Sequence, residues 1–203
     1  MIIPMEQEEE VILKVSSSKD KGYAKKVAAA MGWRLREVGY CRARAIKEAA
    51  VNSAVKAIAI TNERVKEAGI KFGVAPVFGK AEATDDPAAV AICMMVEAVN
   101  GKPPAKFAEC KVSGKKTEGG DHAAATRLAT AINGMALGGK GVALKCIGPD
   151  AVYRAIMGCV MARSSGYANG MKSEIVPTWE TVQAKTGRIS LIRIDFWYEK
   201  EQG

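Results

Sequence analysis

The feature that most constrains the fold is an internal repeat. In the first half, AIKEAAVNSAVKAIAI is followed by IKFGVAPVF, and in the second half CIGPDAVYRAIMGCVM is followed by MKSEIVPTW. Matching positions are 101 residues apart, as Ile46 and Ile147 (147 − 46) and Pro76 and Pro177 (177 − 76) show. A fixed period with shared apolar, lysine and proline positions indicates duplication. We therefore expect two copies of one small domain.

The repeat also extends upstream, where LKVSSSK at residues 13–19 matches CKVSGKK at residues 110–116. This spacing is four residues shorter, and a loop or helix end tolerates such an insertion at little cost. We expect an acidic segment at 1–9, a first domain at 10–100, a linker at 101–105 and a second domain at 106–200.

Within each repeat, the spacing of apolar residues predicts the order β-α-β-α-β-β. The elements expected in the first repeat span residues 10–17, 23–38, 40–46, 48–68, 70–78 and 88–99. Those expected in the second repeat span residues 106–113, 121–137, 140–147, 149–165, 171–179 and 188–198. Pro76 predicts an edge strand or a bulge, and Ser18 or Asp20 is available to cap the first helix.

The residues that usually carry chemistry do not form a recognisable site. The five cysteines contain no CxxC pair, and the single histidine, His122, has no nucleophile at a suitable spacing. The segments GKKTEGG and LGGKG lack the GxxxxGK[ST] order of a phosphate-binding loop. We therefore expect a protein that is not an enzyme and needs no metal or cofactor.

The cysteines, the apolar runs and the N-terminal segment bear on the cellular compartment. Widely spaced cysteines are typical of a reducing compartment, and no apolar run reaches the roughly 18 residues that a membrane span needs. The acidic start, MIIPMEQEEE, does not resemble a signal or transit peptide. We expect a cytoplasmic or nuclear protein with no membrane partner, and an organelle location after presequence removal stays open.

Positive charge is concentrated in the first repeat. The chain carries a net charge of +8, and residues 14–47 hold ten lysines and arginines against two acidic residues. Such clusters attract polyanions, and arginine forks match phosphate geometry, although a solvated lysine-rich face is the alternative. Serines and lysines near a helix start add phosphate contacts. The candidate nucleic-acid contacts are Ser17, Lys19, Lys21, Lys25, Lys26, Arg42, Arg44, Asn52, Lys56, Lys115 and Lys116.

The order LKVSSSK, AIKEAAVNSAVKAIAIT and GIKFGVAPVF resembles the stage V sporulation protein S family of small bacterial proteins. That family is similar in fold to the Alba chromatin and RNA-binding proteins. The resemblance implies a two-layer α/β sandwich, here as two tandem Alba-like domains forming a pseudo-dimer. It also implies a nucleic-acid partner, RNA or DNA. The second copy departs from the first at several positions, so we regard it as the diverged copy.

Three departures mark that divergence, because Asn52, Ser53 and Lys56 correspond to Tyr153, Arg154 and Met157. We therefore expect the first repeat to be the binding half. The alternative is a structural role in a ribonucleoprotein or cytoskeletal assembly. In that role the second domain would bind protein partners through Trp179, Trp197 and Tyr198, since aromatic residues are enriched at interfaces.

Overall fold

The computed structural model describes residues 12–80, 90–115, 117–184 and 187–200, so the expected acidic segment at 1–9 lies outside them. The first copy consists of β1 (Leu13–Val15), α1 (Tyr23–Val38), β2 (Tyr40–Ile46), α2 (Lys47–Val65), β3 (Phe72–Lys80) and β4 (Val90–Ala98). The second consists of β5 (Phe107–Val112), α3 (Gly120–Ala136), β6 (Gly141–Cys146), α4 (Pro149–Tyr167), β7 (Met171–Ala184) and β8 (Gly187–Lys200). The predicted element order is confirmed in both copies.

Each copy forms its own four-stranded sheet, with the order β1-β2-β4-β3 in the first and β5-β6-β8-β7 in the second. In both sheets the first pair is parallel and the other two are antiparallel. Pro76 lies in β3 and Pro177 in β7, which are edge strands in their own sheets. This placement agrees with the missing N–H of proline, which cannot donate to a neighbouring strand.

The helices cover one face of each sheet. In β2, Cys41, Ala43 and Ala45 are buried in the core that also contains Val27 and Met31 of α1. The strand period of two therefore turns the alternate residues of β2 to the opposite face, which we call the outer face. Small side chains in β2 allow close packing of the helices.

The two copies share an interior, which gives the pseudo-dimer. Buried apolar residues of both copies form a continuous core in which α2 packs against α4 and β3 lies beside β7. Asn62 of α2 joins the copies, because its Nδ2 donates to the carbonyl oxygens of Phe72 and Pro177 at 2.9 Å each. Its Oδ1 accepts the Phe72 N–H at 2.7 Å.

The start of α1 differs from the sequence prediction. Gly22 is the N-cap residue, and neither Ser18 nor Asp20 makes a side-chain cap bond to the helix. Instead Asp20 Oδ1 accepts the Gly22 N–H at 2.8 Å, and the Asp20 carbonyl accepts the Tyr23 N–H. Asp20 therefore builds the turn that leads into the helix, a common role for aspartate. Helix α1 ends as expected at Gly39, where φ is 84°.

Candidate nucleic-acid interface

The outer face of the first sheet carries a row of cations. Arg42 and Arg44 alternate with the buried residues of β2, and both are half-buried. Lys14 of β1 is exposed and lies opposite Arg44 in the parallel register. The Arg44 guanidinium also donates to the Lys80 carbonyl, which holds its side chain along the sheet. The fold therefore brings Arg42 and Arg44 together with Lys14, which matches Lys111 in the repeat but was not among the candidate contacts predicted from the sequence.

The loop between β1 and α1 contains the predicted residues Ser17, Lys19 and Lys21, all exposed. Two hydrogen bonds join its ends, because the Tyr23 hydroxyl accepts the Ser16 N–H at 2.9 Å and lies 3.0 Å from Ser16 Oγ. Tyr23 also packs against the core. This placement favours a structural role for Tyr23 over stacking on a base.

The lysines at the start of α1 differ in their partners. Lys25 is exposed, whereas Lys26 Nζ lies 2.9 Å from Asp20 Oδ2. The hydrogen bond from Lys26, with that from the Gly22 N–H, holds the pKa of Asp20 below its usual value. Part of the charge of Lys26 is therefore compensated inside the loop, and Lys25 is the stronger phosphate candidate.

The structure separates Asn52 and Lys56 from the arginines. Both lie on α2, in the helix layer on the other side of the sheet, and both are half-buried. Their stripe also contains Glu48, at the helical spacing of four residues. The charge of Glu48 acts on Tyr153 of α4, whose pKa is raised mainly by burial and secondarily by that charge. The helix that carries Asn52 and Lys56 packs against α4 of the second copy, and the predicted residues do not form a single surface.

In the second copy, the corresponding loop between β5 and α3 is fixed by an ion pair. Arg154 is 4% exposed, forms an ion pair with Asp121 and donates to the Ser113 carbonyl. Lys115 of this loop is exposed, and Lys116 lies outside the described residues. The replacement of Ser53 by arginine was visible in the repeat, but its role in holding the loop was not.

The outer face of the second sheet is an ion-pair network. Lys145, which corresponds to Arg44, has its Nζ 2.8 Å from carboxylate oxygens of both Glu109 and Glu180. Hydrogen bonds to these two carboxylates raise the pKa of Lys145. Beside it, Arg193 Nε lies 2.7 Å from Asp195 Oδ1. Lys145 and Arg193 are therefore compensated by neighbouring carboxylates.

The family follows from a comparison with known protein families. The family model described as stage V sporulation protein S matches residues 11–99 and again 119–197. The chain belongs to the stage V sporulation protein S family. The two matches agree with the tandem duplication, and the second begins after β5, the strand that completes its sheet. Among curated proteins, no sequence matches this family member.

Two features of this family member were missed by sequence reasoning. Arg163 of α4 comes from the second copy and lines a groove on the outer face of the first sheet, with a volume of about 460 Å³. The same groove contains Arg42, Glu97 and the apolar residues Val77 and Met95. Arg163 corresponds to Asn62 by the repeat spacing (163 − 62 = 101), but no local pattern shows which surface it joins.

The second missed feature is Trp33 on α1, which is 55% exposed and has the Arg34 guanidinium 5.5 Å from its ring centre. The three aromatics expected at a protein interface differ in exposure. Trp197 is 4% exposed, whereas Trp179 and Tyr198 are partly buried against the core. The second copy therefore uses Trp197 for its own packing, and binding of protein partners by this domain stays a prediction.

The described residues that could ligate a metal ion are dispersed. His122 is exposed near the start of α3. Among residues 12–80, 90–115, 117–184 and 187–200, no three histidine, cysteine or acidic side chains are grouped to hold a metal ion. None of the helices described in this family member has the length and apolar character required to cross a membrane.

Proposed function

We propose that this protein binds nucleic acid through phosphate contacts made by the first copy. The observation that supports this proposal is the concentration of cations in one region of the first copy. Lys14, Arg42 and Arg44 lie side by side on the outer face of the sheet. The exposed residues Lys19, Lys21 and Lys25 follow in the adjoining loop and at the start of α1.

The geometry suits a polyanion. Arginine guanidinium groups bind phosphate oxygens with two donors in a plane, and lysines supply point charges along the backbone. The loop that follows Lys14 continues the positive surface through Lys19 and Lys21 to Lys25 at the start of α1. Contacts of this type position a nucleic acid without reading its sequence. They act for DNA and RNA alike.

Arg163 extends this surface, because it brings a cation from the second copy into the groove that contains Arg42. The second copy would then contribute directly to binding, since the first copy alone would lack Arg163. A tethered second copy also removes the entropic cost of assembling a dimer before binding.

The test is a fluorescence-anisotropy titration of labelled DNA and RNA over a range of salt concentrations. The variant K19E/K21E/K25E reverses three exposed charges in the loop and on α1, and R42Q/R44Q neutralises the sheet arginines. The matched control is K102E/K106E/K140E, which makes the same charge change at exposed positions beyond the first sheet.

We expect both site variants to weaken binding and to flatten its salt dependence by roughly 0.7 to 0.9 per lost phosphate contact, in the slope of log K against log salt. The control should lose little affinity. Circular dichroism must show that all variants are folded. Equal losses of affinity in the control and the site variants would contradict a localised binding surface, because general charge attraction would then explain the binding. Absence of binding by the folded wild-type protein would refute the proposal. Binding to a protein assembly that survives nuclease treatment would favour the structural role instead.

A further inference from the structure

Trp33 is a large aromatic side chain that the fold does not bury. Helix α1 packs through another stripe, which contains the fully buried Met31 and the buried Leu35. Trp33 is 55% exposed on the helix surface. An exposed tryptophan gives up much of the stabilisation that its burial would provide, so its position indicates contact with something outside the fold.

The surroundings of Trp33 are both apolar and positive. A groove of about 350 Å³ runs between α1 and β1, lined by Ile12, Leu13, Lys14, Ala30, Trp33 and Arg34. The Arg34 guanidinium lies over the Trp33 ring, 5.5 Å from its centre. Lys14 belongs at the same time to this groove and to the cationic row beside Arg44. The groove therefore begins where the proposed phosphate surface ends.

We infer that Trp33 stacks on an unpaired base of a single-stranded nucleic acid, with Lys14 and Arg34 contacting the adjoining phosphates. This inference rests on the proposed function and specifies its ligand. An indole ring and a nucleobase have similar flat apolar faces, and base–aromatic stacking tolerates any sequence. Bases inside a duplex are stacked on one another, so only an unpaired base can lie flat on Trp33.

The second copy lacks this arrangement. The upstream repeat spacing places Thr130 at the position of Trp33 (33 + 97 = 130), while Lys111 corresponds to Lys14 (111 − 14 = 97). The lysine is thus present in both copies, but the tryptophan is present only in the first copy, where residues 14–47 concentrate the positive charge of the sequence. The two independent features, charge and aromatic surface, therefore occur in the same half of the chain.

The test titrates the intact protein with a labelled thymidine oligonucleotide of about 12 residues and with a duplex of equal length. Anisotropy of the label reports binding, and intrinsic tryptophan fluorescence reports stacking. Since Trp197 is buried and Trp179 packs against the core, a change on binding comes mainly from Trp33. The variants are W33A and W33F, and W179F serves as the matched control at another tryptophan.

We expect the single strand to quench tryptophan fluorescence and the duplex to leave it largely unchanged. W33A should bind the single strand about tenfold more weakly, W33F should recover most of that loss, and W179F should bind as the wild type does. The salt dependence of W33A should equal that of the wild type, because stacking releases no counterions.

Two outcomes would overturn the inference in different ways. If the wild type binds in the anisotropy assay but W33A retains its affinity, the stacking role is wrong and the phosphate-binding proposal stands. If the folded wild type binds neither oligonucleotide, both proposals fail together. Equal quenching by the duplex and the single strand would also refute the assignment of an unpaired base.

Discussion

Replacing Asn62 should reveal how strongly the two copies stabilise each other. Asn62 is 6% exposed and makes three hydrogen bonds, to the carbonyls of Phe72 and Pro177 and from the Phe72 N–H. A hydrogen bond of this kind contributes about 1 kcal/mol net, and leaving a buried partner unpaired costs more. We expect N62A to lower the free energy of unfolding by roughly 3 kcal/mol, a large part of the 5 to 15 kcal/mol typical of a folded protein.

The assay is urea unfolding followed by circular dichroism, with the free energy obtained by linear extrapolation. The control is S53A, since Ser53 Oγ donates only to Ala49 in its own helix and alanine is the best helix former. S53A should change the free energy of unfolding by less than about 0.5 kcal/mol.

The variant N62D tests the direction of these hydrogen bonds. A carboxylate can still accept the Phe72 N–H, but it cannot donate to the carbonyls of Phe72 and Pro177 and would bring negative charge next to them. We therefore expect N62D to be at least as destabilised as N62A. A loss below about 1 kcal/mol for N62A, or wild-type stability for N62D, would refute the claim that Asn62 joins the copies energetically.

Further variants test the backbone, the ion pair of Arg154 and the thiols. Lys47 has φ of 68° where the second copy has Gly148, so K47G should raise the free energy of unfolding by about 1 kcal/mol in a urea melt, and G148K should lower it. R154A should cost about 2 kcal/mol in the same assay, because it removes the hydrogen bond to the Ser113 carbonyl and the ion pair with the partly exposed Asp121; a loss below about 0.5 kcal/mol would contradict the role given to Arg154. Burial raises the pKa of the Cys146 thiol to about 12 and that of Cys159 above its usual range. Both thiols ionise in the unfolded chain from roughly pH 8.5, so the free energy of unfolding should fall as pH rises above that value, and C146A/C159A should flatten the fall.

The sequence predicted the bounds of helices and strands well where the apolar pattern lies within one segment. Helix α1 and strand β2 have the predicted bounds, because a stripe of apolar residues ends at Gly39 and clean alternation follows it. The hairpin of β7 and β8 was predicted too short. Residues 180–187 are polar and look like a loop, but cross-strand pairs such as Val182 with Ile189 continue the ladder. Strand pairing depends on a neighbour that a single segment does not reveal.

The candidate site was harder to predict for the same reason. Charge density directed attention to the β1–α1 loop and to Arg42 and Arg44, but it could not show which side of the sheet each residue faces. Asn52 lies on α2, a helix that packs against α4 of the second copy. Arg163 reaches the first sheet only because the copies are fused in this arrangement. Both placements depend on contacts between copies.

The pairs of corresponding residues explain how one duplicated chain can hold two specialised halves. Arg44 is matched by Lys145 in an ion-pair network, and the small side chain of Ser53 by Arg154, which fixes its loop. In each pair the second copy uses a charged residue for internal contacts, Lys145 with two carboxylates and Arg154 with its loop. Asn62 and Arg163 show the converse, since there the first copy supplies the joint and the second supplies a cation to the shared groove. A separate homodimer could not make these choices independently, because every substitution would appear in both subunits.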